Sequence, residues 1–103
     1  MANAWSPWEP ETSQHTLAVL GKLAEEASEC ATAAARCIIQ GIDESEPVSG
    51  KTNRRWLEEE IADVIAQTRL AADALGLDIA FIMERAKVKQ GYTGAWQESL
   101  RGE

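Results

Sequence analysis

Hydrophobic positions recur at Leu17, Leu20, Ala24, Ala27, Ala31, Ala34 and Ile38. This 3-4-3-4 spacing is the mark of a helix-packing seam and predicts one long helix ending near Gln40. Thr12 or Ser13 is placed to cap its start, Gly21 weakens it locally, and Gly41 is a natural stop. Leu57, Ile61, Val64, Thr68, Ala71 and Leu75 repeat the pattern and predict a second helix from about Arg54 to Leu75, closed by Gly76. Asp78 can cap a third helix reaching about Gln90, with Ile79, Ile82, Met83 and Ala86 inward and Gly91 and Gly94 ending it.

Between these segments the periodicity lapses. Residues 1–11 hold Trp5, Pro7, Trp8 and Pro10 and read as an extended N-terminal arm. Residues 41–53 form a loop of the length that is often functional or mobile. Residues 92–103, with Tyr92 and Trp96, read as a tail that docks by its aromatics or stays loose. The expectation is a single all-α domain over 1–103, a helical bundle with three main helices. A chain this short buries a modest share of its surface, so oligomerisation is expected to complete it.

Composition changes that picture little, because 45% hydrophobic and 26% charged residues are ordinary for a globular protein. Charge narrows the partners. The net charge of −7, with no Lys/Arg block, repels nucleic acid polymers. A small anion is still admissible if a divalent cation reverses the local sign. Cys30 and Cys37 lie about 10 Å apart along one helix, too far to pair, and they suit a reducing compartment. No apolar run is long enough to span a membrane and the first residues lack signal-peptide character, so a cytoplasmic location is expected.

The chemistry lies in two short patterns, Glu25-Glu26-Ala27-Ser28-Glu29 and Glu58-Glu59-Glu60-Ile61-Ala62-Asp63. They contain E-x-x-E (Glu26, Glu29) and E-x-x-D (Glu60, Asp63), and residues three apart share a helix face. Lys22, Glu26, Glu29 and Ala33 form a stripe beside the first seam. Trp56, Glu60, Asp63 and Gln67 form one beside the second. Antiparallel packing would line one cleft with both. Four converging carboxylates repel one another unless a cation sits among them, and an all-oxygen donor set suits Mg²⁺ or Mn²⁺. The plainer alternative is a non-catalytic helical interaction module whose acidic faces are solvated. A di-iron carboxylate bundle needs Glu-x-x-His pairs, and the lone His15 lies outside both motifs.

Lys22 to Glu29, followed by Glu59-Glu60-Ile61-Ala62-Asp63-Val64, resembles the MazG-like all-α nucleoside triphosphate pyrophosphohydrolase superfamily over roughly residues 17–90. The resemblance implies hydrolysis of an NTP or dNTP to the monophosphate and pyrophosphate, in a homodimer or homotetramer. It implies Glu26, Glu29, Glu60 and Asp63 as metal ligands. Glu25 would be a further acid that orients water or holds a lysine. Lys22, Trp56, Arg54, Arg55, Lys87 and Lys89 are the candidate substrate contacts, with Trp56 either stacking on a base or packing against a partner subunit. The last helix departs from the family pattern, carrying Arg85, Lys87 and Lys89 without a neighbouring Asn. The spacer between the two acidic pairs is also longer than in compact members.

Overall fold

A computed structural model describes residues 6–102, so Trp5 of the arm lies outside the described residues. Residues 6–13 are non-helical and largely exposed, in keeping with an extended arm. Three helices follow: α1 (Gln14–Gln40), α2 (Asn53–Leu75) and α3 (Ile79–Leu100). Each begins on a side-chain cap. Ser13 accepts from the Thr16 N–H at 3.2 Å, Thr52 from Arg55 at 3.1 Å and Asp78 from Phe81 at 2.9 Å. Gly76 closes α2 in the left-handed region at φ 65°, where a side chain would be strained.

The third helix departs from expectation. Gly91 and Gly94 do not end it. α3 runs on to Leu100, and neither glycine takes a positive φ. Each removes only about 1 kcal/mol of helix propensity, which neighbours such as Lys89, Gln90, Ala95 and Gln97 offset. The expected tail is therefore mostly helix, and Tyr92 and Trp96 project from it into solvent.

α1 and α2 form an antiparallel hairpin. Among the described residues this is the only extensive packing between helices, and α3 has no buried residue. The connection over 41–52 is folded on itself. An isolated bridge joins Ser45 and Thr52, and the Glu46 carboxylate accepts from the Val48 and Ser49 backbone N–H groups. Those bonds hold Glu46 below the usual carboxylate range, the Ser49 side-chain bond most of all. Asn53 is buried and donates to the Gly41 carbonyl at 2.9 Å, which ties the start of α2 to the end of α1.

The seam of the hairpin is rotated from its expected position. On α1 the residues turned inward are Thr16, Val19, Leu23, Glu26, Cys30, Ala33 and Cys37. Each stands one place before a residue of the expected seam, a turn of about 100° around the helix. Leu17, Leu20 and Ile38 are left exposed, Ile38 at 85%. On α2, Leu57, Val64, Thr68, Ala71 and Leu75 face inward as expected, joined by Trp56, Glu60 and Gln67, while Ile61 is exposed. The closest-packed points are alanines: Ala33, Ala71 and Ala72 are buried, and no large side chain is fully so. Small residues let the helices approach, but they bury little apolar area.

Candidate metal centre and cleft

The rotated seam carries Glu26 into the helix interface instead of beside it. Its side chain is only 12% exposed. One carboxylate oxygen lies 3.2 Å from the Lys22 ammonium, while the other is buried with no hydrogen-bond partner. Glu60, facing it from α2, also has a buried oxygen without a partner. An unsatisfied buried polar atom costs about 1–3 kcal/mol, and more when charged. Two facing one seam is an arrangement that a cation would relieve.

Asp63 completes the group. Glu26, Glu60 and Asp63 each offer an oxygen within 4.8 Å of the others, and Glu25, Glu26 and Glu29 do the same. Oxygens bound to one octahedral Mg²⁺ lie about 3 Å apart when adjacent and about 4.2 Å when opposite, from its ~2.1 Å bond length, so side-chain rotations would have to draw a trio closer for it to share an ion. The acids singled out in the sequence fall into two trios that share Glu26, one on α1 with Glu25 and Glu29 and one across the hairpin with Glu60 and Asp63. The donor set is all carboxylate, the chemistry of Mg²⁺ or Mn²⁺ and not of zinc.

Lys22 bridges the first trio. Its ammonium is 3.3 Å from Glu25 and 3.2 Å from Glu26. Hydrogen bonds to Glu26 and then Glu25 raise its pKa further above the lysine value, so it remains charged. Glu29 is raised above the usual glutamate range, first by partial desolvation and then by the charges of Glu26, Glu60 and Glu25.

Beside the carboxylates lies a cleft of about 270 Å³ lined by Glu29, Thr32, Ala33, Arg36, Trp56 and Glu60. Trp56 was anticipated on this wall. Thr32 and Arg36 were not, although Arg36 stands two helical turns after Glu29 and shares its face, a signal present in the sequence. Lys51, on the connecting loop, places its ammonium 3.8 Å from the centre of the indole and 2.6 Å from Glu59.

The other nominated cations do not meet this cleft within one chain. Arg54 is held by Asp43 through bonds of 2.8 and 3.2 Å, which also pull Asp43 below the usual carboxylate range. Arg55 lies 3.6 Å from Glu58. Lys87 and Lys89 sit on α3 and line shallow depressions made of that helix alone. Cys30 and Cys37 are free and half-buried in the seam.

No family model matches this chain, and neither does any curated protein or solved structure. Among the described residues no helix is long and apolar enough to cross a membrane.

Proposed function

We propose that this chain is a MazG-like, Mg²⁺-dependent pyrophosphohydrolase that converts a nucleoside triphosphate or deoxynucleoside triphosphate and water to the monophosphate and pyrophosphate. The observation that carries the reading is the pair of orphaned carboxylate oxygens of Glu26 and Glu60 in one seam, within reach of Asp63. A solvated acidic face leaves its oxygens in water.

Glu26, Glu29, Glu60 and Asp63 would hold the ion. Bound Mg²⁺ supplies Lewis acidity and offsets the negative charge of the phosphates. Glu25 lies at the open side of the trio, where it orients the attacking water and shares Lys22 with Glu26. With Glu26 among the residues that would hold the metal, Lys22 would be available to phosphate oxygens. Trp56 offers a face to the base from one wall of the cleft.

A homodimer or homotetramer completes the site. The chain exposes 8402 Å², whereas a compact monomer of 11.3 kDa exposes about 5,700 Å². Its radius of gyration is 18.1 Å, against about 13 Å for a compact domain of this length. The excess surface exceeds the ~800 Å² per partner of a standard interface. In such an assembly α3 of one copy would bring Arg85, Lys87 and Lys89 to the phosphates of another. The role suggested is control of the cytoplasmic nucleotide pool.

Incubation with the common NTPs and dNTPs and Mg²⁺ is expected to release pyrophosphate from at least one. EDTA, Glu60→Gln and Asp63→Asn should each abolish it. Undiminished turnover in EDTA would refute the mechanism. The exposed apolar residues of α1 and α3 favour a second reading, a non-catalytic interaction module. That reading expects no Mg²⁺-dependent rise in melting temperature and no pyrophosphate release.

A further inference from the structure

Among the described residues Lys22 is the one cation paired with two carboxylates. Asp43, Glu58, Glu59 and Glu98 each meet a separate basic partner, whereas Lys22 lies 3.3 Å from Glu25 and 3.2 Å from Glu26. The helical repeat sets this up, because residues three and four places on are neighbours along one helix face. The two acids then differ in burial. The Glu25 side chain is 55% exposed, while that of Glu26 is 12% exposed and turned into the α1/α2 seam.

Lys22 therefore stands half-exposed at the rim of the seam, with an anchor outside and a largely buried carboxylate inside. Its contact with Glu26 is through Oε1. The other oxygen, Oε2, is buried without a hydrogen-bond partner, as is Oε2 of Glu60 on the facing helix. A glutamate side chain turns about several torsions, and an unpaired buried oxygen favours a turn toward water. A tethered Oε1 opposes that turn. A carboxylate held by one oxygen directs the other, and Glu26 shares its seam with Glu60 and Asp63.

We propose that Lys22 is a positioning residue for the divalent ion: anchored by Glu25, it holds Glu26 by its outer oxygen and so presents the inner one to an ion shared with Glu60 and Asp63. This rests on the metal-dependent reading of the cluster and adds to it a group that acts on a ligand without touching the ion. Ligating carboxylates are oriented by such hydrogen bonds, and losing one lowers metal affinity about 10- to 100-fold. The ammonium has three donors, so two bonds to carboxylates still leave one for a phosphate oxygen. The sign of the effect separates positioning from plain electrostatics. A positive charge beside an ion site repels the ion, so on that ground alone its removal tightens binding.

The test is ion binding by the full chain without nucleotide. Mn²⁺ is titrated as the probe, with the free ion read by electron paramagnetic resonance, and Mg²⁺ binding is read as a rise in melting temperature. Lys22→Met keeps an aliphatic stem and removes the ammonium. It is expected to weaken Mn²⁺ binding about tenfold. Helicity and the metal-free melting temperature should stay close to the parent's, because a half-exposed ion pair contributes little to stability. Lys22→Arg should restore most of the affinity. In a Glu26→Gln background, Lys22→Met should cause no further loss, because its effect passes through that carboxylate.

Unchanged or tighter Mn²⁺ binding in Lys22→Met would overturn the positioning role while leaving the carboxylate cluster as an ion site. So would an undiminished loss in the Glu26→Gln background. A metal-free melting temperature that fell in step with the affinity would also overturn it and make Lys22 a packing residue of the hairpin. Absence of saturable Mn²⁺ binding in the parent would sink the positioning role and the metal reading together.

Discussion

The α1/α2 hairpin and α3 make opposite departures from an ordinary helical protein. The hairpin turns carboxylates inward: Glu26 and Glu60 occupy seam positions where a stable core would put leucine. α3 turns apolar groups outward, with Phe81 66% and Tyr92 76% exposed and Met83, Val88 and Trp96 also in solvent. Neither arrangement is favourable for an isolated chain in water. The buried oxygens of Glu26 and Glu60 lack a positive partner and α3 lacks apolar cover, so the two regions differ in what they leave unsatisfied. The first would be relieved by a small cation, as proposed above. The second needs another helical surface, and the exposed stripe of Leu17, Leu20 and Ile38 on a second copy is one such surface.

The comparison breaks most sharply on α3. Phe81→Glu with Tyr92→Glu is expected to convert the proposed assembly to monomers, seen by sedimentation velocity. Burying one large apolar side chain is worth about 1.5–3 kcal/mol, so two per chain across a symmetric dimer shift its dissociation constant by more than about a thousandfold. The helicity of the hairpin should survive, because it does not depend on α3 for its packing. An unchanged sedimentation coefficient would show that α3 is not the associating surface.

The hairpin responds in the opposite sense. Glu60→Leu removes a buried, unpaired carboxylate and should raise metal-free stability by about 1–3 kcal/mol. The same variant should lose the stabilisation expected of Mg²⁺ in the parent under the proposed function, about 2.7 kcal/mol at a hundredfold excess over the dissociation constant. Thermal melts with and without Mg²⁺ supply both numbers. A destabilised apo variant that still gains from Mg²⁺ would mean that the seam carboxylate is structural and that any ion binds elsewhere.

The two regions also differ in how far the sequence disclosed them. The Ser13 and Asp78 starts and the Gly41 and Gly76 stops were read from local chemistry, and capping is a local property, whereas the Thr52 start of α2 was not read. The four carboxylates were legible by spacing alone. The seam of α1 was not, because two stripes with the same 3-4 repeat lie one residue apart. Ranking by hydrophobicity selects Leu17, Leu20 and Ile38, whereas the chain pairs through Thr16, Val19, Leu23 and Glu26. The more apolar stripe is left outside the hairpin, and periodicity cannot say which of two partners a stripe is meant for. The stop at Gly91 failed for a related reason. A glycine ends a helix only where the chain needs a positive φ, and nothing after Gln90 requires a turn. Arg36 was passed over because single arginines on exposed helix faces are common, and only the indole opposite gives this one a context.

The smallest effect concerns proton competition at the hairpin. Glu29 has a folded-state pKa above its ordinary value of 4.5, from desolvation first and the charges of Glu26, Glu60 and Glu25 next. The folded chain therefore holds this proton more tightly than the unfolded chain. Ionising Glu29 opposes folding as pH rises through that window, and acidification relieves the strain until both states are protonated. A bound divalent ion needs the carboxylate charged, so it must displace the same proton. The Mg²⁺-induced rise in melting temperature is thus expected to shrink as pH falls from neutrality toward the window just above 4.5. Glu29→Gln should flatten part of that dependence while leaving a weaker Mg²⁺ response from Glu26, Glu60 and Asp63. The Phe81→Glu and Tyr92→Glu changes lie on α3, outside the α1/α2 packing, so that chain should keep the parental pH profile of Mg²⁺ binding in its hairpin. If that variant lost the profile instead, the carboxylate cluster would need the second copy to assemble, and the two regions would be one site.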